Sequence, residues 1–236
     1  MPTVADLVDL LWSARPASGA YLIGLTGGVA AGKTTLADSL VEGFRAAPTR
    51  PRVERIGTDG FLHPNAVLIE RNILDRKGFP ESYDHAALHA ALRLLRTAPA
   101  VIPGYSHIIY DIDPAASRTL EPPDVLIVEG LGLDSAAPVD TLIYLDAQEA
   151  DQEAWFVARF LEFCEVGRRD ATSFYARFRD LDAEAAAQLG GQVWTSINRP
   201  NLREHISPIR ETADIVVTKG AGHAIASITQ RGGARP

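Results

Sequence analysis

The chain has 236 residues and a net charge of −7, with 23 Lys and Arg against 30 Asp and Glu. Basic and acidic residues are interleaved, so no Lys/Arg stripe neutralises a nucleic-acid backbone, and a nucleic-acid polymer is excluded as a partner. The single cysteine, Cys164, rules out a disulfide framework or Cys-based metal site, and no run approaches the ~20 apolar residues that span a bilayer. A cytoplasmic chain folded as one domain, residues 1–236, is expected, with no membrane partner.

In chain order, Met1 to Ala14 is acidic and amphipathic and lacks the basic start of a signal peptide. Tyr21 to Leu25 is an apolar run that reads as a buried strand. It leads into Gly27-Gly28-Val29-Ala30-Ala31-Gly32-Lys33-Thr34, a complete Walker A sequence, and Thr35 to Phe44 then carries apolar residues at helical spacing. Each residue type has a task. Glycines let successive backbone N–H groups turn inward around phosphate oxygens, Lys33 places a charge on the β and γ phosphates, and the Thr34 hydroxyl ligates Mg²⁺. Gly27 to Thr35 are therefore the candidate nucleotide-binding residues, with ATP and Mg²⁺ as cofactors. The competing reading, a chance glycine-rich turn, lacks a reason for the strand on one side and the helix on the other.

Val53 to Gly57, Val125 to Val128 and Leu142 to Leu145 are further short, β-branched runs between helical patterns, and Asp214 to Thr218 follows a long helical stretch. This rhythm predicts an α/β fold of the P-loop NTPase type, a mainly parallel five-stranded sheet flanked by helices. Ligands of such sheets sit beyond the carboxyl ends of the strands. Asp59, just after the second run, is placed to accept a hydroxyl proton and hold the oxygen in line with a γ-phosphate, although an Asp there also serves as a helix cap. Glu129, at the end of Val125 to Val128, is the candidate second Mg²⁺ residue.

Two polar segments, Lys77 to Asp84 and Tyr105 to Asp111, fit no regular pattern. Glu149 to Asn198 is mostly helix-forming and rich in aromatics, among them Trp155, Phe156, Phe160, Phe163, Phe174, Tyr175, Phe178 and Trp194, with Arg159 among the basic residues between them. Such a stripe is either the core of a helical hairpin or a lid over a partly apolar substrate, and 149–198 is taken as a lid. The tail from Gly220 to Pro236 is rich in Gly and Ala, and its last five residues are expected to fray.

Thr58-Asp59-Gly60-Phe61-Leu62-His63-Pro64-Asn65, Lys77 to Asp84, Tyr105 to Asp111 and Asn198-Arg199-Pro200-Asn201-Leu202 together closely resemble the bacterial type I pantothenate kinases. These belong to the P-loop group that includes uridine kinases and phosphoribulokinases, and the likeness runs from Tyr21 to Ala224. The resemblance implies ATP-dependent phosphorylation of the primary hydroxyl of pantothenate, the first step of coenzyme A synthesis, and a homodimer. It implies Lys33 and Thr34 as phosphate and Mg²⁺ residues, Asp59 as base, and Arg159 as a cation closing on the transferred group. It also implies Tyr105, His107 and Asn198 as contacts to pantothenate, and His223 packing on adenine.

The chain departs from that pattern. Phe156, Phe174 and Phe178 stand where the family's substrate pocket and lid usually carry tyrosines, each change deleting a hydroxyl. Asp38 replaces a basic residue of the family's feedback site, so repulsion of coenzyme A phosphates is expected to weaken that inhibition. Residues 1–20 and 131–138 are shorter than the family's corresponding segments. A related kinase acting on another small alcohol, such as a nucleoside, sugar or lipid-like alcohol, is the alternative, and a nucleotide-binding sensor without catalysis is a third reading.

Overall fold

All seven residues of Tyr21–Gly27 are buried, which makes this strand the middle of a sheet covered on both faces. The computed structural model describes residues 1–231; the five residues expected to fray lie outside them. The elements in chain order are α1 (Val4–Ala14), β1 (Tyr21–Gly27), α2 (Lys33–Arg45), β2 (Val53–Gly57), α3 (Asn65–Glu70), α4 (His85–Leu94) and β3 (Ala100–Ile102). They continue with β4 (Tyr105–Ser106), β5 (Asp111–Ile112), β6 (Arg118–Leu120), β7 (Val125–Glu129), β8 (Thr141–Asp146) and α5 (Glu149–Arg169). The last are α6 (Ala183–Val193), α7 (Arg199–Asn201), β9 (Ile215–Lys219) and β10 (Ile225–Gln230).

The main sheet has six strands in the order β10-β9-β8-β1-β7-β2. The five predicted strands are all present and mutually parallel, with β1 registered between β7 and β8. The sixth corrects the expected five: β10 forms from the Gly/Ala-rich tail and pairs antiparallel with β9. Its alternation of Ile225, Ser227 and Thr229 with Ala226, Ile228 and Gln230 leaves it mostly exposed, so no apolar run marks it as a strand. An edge strand buries little and needs little apolar sequence.

One face of the sheet, with Ile23, Leu25, Ile127, Ile143 and Val217, packs on Leu36, Leu40 and Phe44 of α2 and on Leu7 and Leu11 of α1. Burying each of these side chains stabilises the fold by roughly 1.5–3 kcal/mol. A capping box starts α1, in which Thr3 and Asp6 satisfy each other's backbone N–H groups. The opposite face, with Leu22, Leu126, Val128 and Tyr144, packs on α4 and on Trp194, Leu202 and Ile206.

Residues 183–206 form one continuous helical run in which α6 and α7 are separated by a π-turn, Trp194–Asn198, and followed by another, Leu202–Ile206. Pro200 lacks an N–H, so the ladder is broken there; the wide turns re-pair it, with the Arg199 N–H donating to the Trp194 carbonyl. A third, small core of Phe160, Cys164 and Ala186, lined by Tyr175 and Phe178, joins α5 to α6. Cys164 is a buried, free thiol, and burial raises its pKa. No helix of the described residues is long and apolar enough to cross a membrane.

Candidate active site

The loop between β1 and α2 wraps back on itself because Gly27 and Gly32 take φ of +146° and +84°, values that L side chains rarely adopt. Ala30 is also left-handed, at +61°, a strained conformation of the kind found at ligand clamps. Gly32 caps α2 without a side-chain hydrogen bond, and the first turn of the helix carries no acidic residue. Its N–H groups and dipole are thus left for an anion. Lys33 folds inward, its Nζ donating to the Gly27 and Gly28 carbonyls at 3.0 and 2.8 Å. Loss of hydration lowers its pKa to about 8 against the pull of Glu129 and Asp59. Lys219, at the end of β9, lines the same cleft and braces the loop by donating to the Ala31 carbonyl at 3.0 Å.

The Thr34 hydroxyl donates to Glu129 Oε1 at 3.0 Å. Arg55 reaches the same oxygen at 3.2 Å and binds Asp38 at 2.8 Å. The oxygens of Thr34 and Glu129, side by side at the end of the phosphate loop, are the hard donor set that Mg²⁺ takes, so these residues fit the ion. Asp38 is ion-paired with Arg55, a cation it shares with Glu129.

A cleft of about 1020 Å³ runs from this loop past Asp59 to Tyr105 and His107, walled on its far side by Trp155, Arg159 and Glu162 of α5 and by His223. Asp59 sits in the 3₁₀ turn Thr58–Phe61 that follows β2 and makes no cap bond there. The Tyr83 hydroxyl donates to Asp59 Oδ1 at 3.2 Å, and His107 Nε2 lies 3.9 Å from Oδ2. Burial holds Tyr83 well above its ordinary pKa, so it remains a donor, and burial lowers the pKa of His107. Oδ1 is thereby occupied and Oδ2 faces the cleft as an acceptor.

The sequence model of the Phosphoribulokinase / Uridine kinase family matches residues 22–159. The chain belongs to this family. A pantothenate kinase of Myxococcus xanthus is 40% identical over 227 residues, covering 89% of this chain and 72% of that protein. A pantothenate kinase of Rhizobium rhizogenes is 39% identical, covering 89% and 69%. Among solved structures, a Silicibacter sp. TM1040 protein described as a kinase of a fructose transport system superposes with a TM-score of 0.74 at 25% identity, over 92% of this chain and 99% of that one. The family resemblance, the α/β P-loop fold and the kinase class read from the sequence are borne out.

Within this family frame, the structure brings Val29, Ala30, Gly32, Lys33, Thr34, Thr35, Asp59, Tyr105, His107, Glu129, Arg159 and His223 to one cleft. Phe156, Phe174, Phe178 and Asn198 do not line it. Phe178 packs inside the α5–α6 hairpin on Phe160, with ring centroids 5.7 Å apart, so for this residue the hairpin-core reading of the aromatic stripe holds. Phe156 bridges Phe160 and Trp194. Phe174 packs at a tilt on Tyr110, with ring centroids 4.5 Å apart, and neither ring lines the cleft. Asn198 Nδ2 is buried and makes no hydrogen bond. His223 is stacked face to face on Trp155 at 4.0 Å, so one face of its ring is covered by an indole.

Three contributors were given no role from the sequence. Tyr83 and Lys77 lie within the polar segment 77–84 whose polarity had no structural reason. Lys77 Nζ donates to Asn65 Oδ1 at 2.7 Å and to the Tyr110 carbonyl at 2.6 Å, and it lies over the Tyr105 and Tyr110 rings. It pins the β4–β5 hairpin that carries His107, and burial lowers its pKa to about 8. Arg55 comes from the middle of β2, and nothing in its local sequence separates it from a surface cation.

Proposed function

We propose that the chain transfers the γ-phosphoryl group of ATP to the primary hydroxyl of pantothenate, with the 149–198 segment covering the acceptor. One observation carries this reading: Asp59, a carboxylate with one oxygen tied by Tyr83 and the other making no hydrogen bond among the described residues and lying 3.9 Å from His107, shares a cleft with the Lys33 phosphate loop. The names of the relatives at 40% and 39% identity support pantothenate as the acceptor.

In this reading ATP phosphates lie along Gly27 to Thr35, on the α2 N-terminus, with Lys33 exchanging its carbonyl partners for β and γ oxygens. Thr34 and Glu129 would hold Mg²⁺, which supplies charge neutralisation on the β and γ phosphates. Tyr105, His107 and, after a shift of the helical run, Asn198 contact the acceptor, with Phe156 and Phe174 forming an apolar wall behind it. Asp59 Oδ2 takes the hydroxyl proton as the oxygen attacks the γ-phosphorus, and the bond to the ADP oxygen breaks. Arg159 closes with α5 onto the developing charge and excludes water. The Trp155–His223 stack offers an aromatic surface for the base.

The test is ADP release with Mg·ATP and pantothenate beside nucleosides, sugars and short alcohols. Pantothenate turnover well above that of every other acceptor is expected. Activity confined to a different alcohol would replace the acceptor and keep the reaction, whereas no acceptor-stimulated ADP release would leave only nucleotide binding.

A further inference from the structure

The N-terminal half of α4 presents two imidazoles one turn apart, and a carboxylate from the loop after β7 meets them. His85 Nδ1 lies 3.9 Å from Asp134 Oδ2, and His89 Nε2 lies 3.9 Å from Asp134 Oδ1. One ligand atom from each of the three residues falls within 4.8 Å of the others. Both imidazole nitrogens are buried and neither makes a hydrogen bond.

The protonation pattern sharpens this. His85 Nε2 is 3.0 Å from the Pro80 carbonyl. A carbonyl only accepts, so Nε2 carries the hydrogen, and in the neutral ring Nδ1 holds a lone pair. That lone pair points at a carboxylate, which also only accepts. The Ala136 N–H donates to Asp134 Oδ1 at 2.9 Å, fixing the carboxylate from behind. Acceptor atoms of His85 and Asp134 thus face each other beside the unpartnered His89 Nε2, with His85 and Asp134 each oriented by a hydrogen bond from another side, as in bound metal centres.

We propose that His85, His89 and Asp134 form a binding site for a divalent transition ion of the Zn²⁺ class, separate from the phosphate loop. Two imidazoles and one carboxylate are the N₂O set that such ions take, with water completing the coordination, whereas Mg²⁺ prefers an all-oxygen octahedron. Ligand atoms around a tetrahedral ion are about 3.3 Å apart, so the three close inward slightly when it binds.

The ion clamps the loop after β7 to α4. That loop also holds the Gly132 N–H on the Thr58 hydroxyl at 3.2 Å and lies against the Tyr83 ring, next to Asp59. The site therefore stiffens the backing of the proposed base without entering the cleft.

Untagged full-length chain, stripped with chelator and returned to buffer with excess Mg²⁺, is titrated with Co²⁺ and Zn²⁺. One equivalent of Co²⁺ is expected to give a visible d–d spectrum of nitrogen and oxygen ligation, displaced by Zn²⁺, and Zn²⁺ is expected to raise the melting temperature. His89→Gln and Asp134→Asn, made separately, are each expected to lose the spectrum and the shift. The proposal is overturned if the wild-type chain holds no ion against dialysis, if both variants bind as it does, or if a thiolate charge-transfer band assigns the ion to Cys164.

Discussion

The nucleotide half of the cleft and its acceptor half are built differently. The first stands on the carboxyl ends of β1, β7 and β9, parallel strands of one sheet, and its side chains are fixed by short bonds: Lys33 to Gly27 and Gly28, Lys219 to Ala31, Thr34 to Glu129. The second is gathered from the edge strand β2, the 77–84 segment, the two-stranded β4–β5 hairpin and α5. Many of its contacts are ring to ring, such as Tyr105 on His107 at 5.1 Å and Tyr110 on Phe174 at 4.5 Å. A phosphate-transfer engine gains from rigid donors already in place, while a half made of loops and rings admits changes of acceptor without disturbing the sheet.

Asp59→Asn should separate the halves most sharply. It keeps an oxygen for the Tyr83 hydroxyl but removes the base, so kcat should fall by roughly 10²–10⁴-fold, with ATP affinity by calorimetry unchanged. A parallel loss of ATP binding would show that the halves are not independent. Lys33→Ala strikes the other half. It should reduce kcat/KM for ATP by roughly 10²–10³-fold and also abolish the nucleotide-induced rise in melting temperature, which Asp59→Asn leaves intact.

This division also decided what was legible in the sequence. The phosphate loop is local: eight consecutive residues carry both the turn chemistry and the ligands, so spacing alone placed Lys33 and Thr34. Four of the five parallel strands were legible because burial on both faces demands nearly unbroken apolar runs, and β2, at the sheet edge, was legible from Val53 and Ile56 alone. β10 was not, since an exposed edge makes no such demand. In the acceptor half, Tyr83 reaches Asp59 across 24 residues and Lys77 reaches the Tyr110 carbonyl across 33. No period encodes such pairs; unexplained polarity and the family resemblance drew attention to their segments without giving the partners. The Phe residues show the reverse error: resemblance placed Phe178 at the substrate, whereas its apolar ring packs in the hairpin core.

Tyr83→Phe tests the bond that orients the base. Hydrogen bonds to a charged group are worth about 1.5–3 kcal/mol, so kcat should fall by roughly 10- to 100-fold with KM for ATP unchanged. In an Asp59→Asn background the same change should have little further effect, because both act through one carboxylate. If the two losses multiply, Tyr83 works elsewhere.

The pH dependence of nucleotide binding should be set by Lys33. Its pKa is lowered to about 8 by burial, so the free chain loses the ammonium as pH rises through that value, whereas bound phosphate keeps it charged. The ATP dissociation constant should be flat below that pKa and rise by about tenfold between pH 7 and pH 9. Lys33→Ala should flatten the profile; an unchanged slope in that variant would assign the titration to another group.

The smallest expected effect lies in the acceptor half, at Phe156→Tyr. Phe156 packs on Trp194 with ring centroids 5.9 Å apart, and Trp194 Nε1 and Asn198 Nδ2 on the same helical run are buried donors without acceptors. A hydroxyl at position 156 supplies an oxygen where that region lacks one. If it reaches the acceptor, one hydrogen bond of about 0.5–1.5 kcal/mol should raise kcat/KM for pantothenate by roughly two- to tenfold. If it instead satisfies Trp194 or Asn198, the melting temperature should rise with kcat/KM unchanged. That second result would assign acceptor choice to the loops pinned by Lys77 and leave the helical hairpin as a cover, because a hydroxyl absorbed within the helices selects nothing.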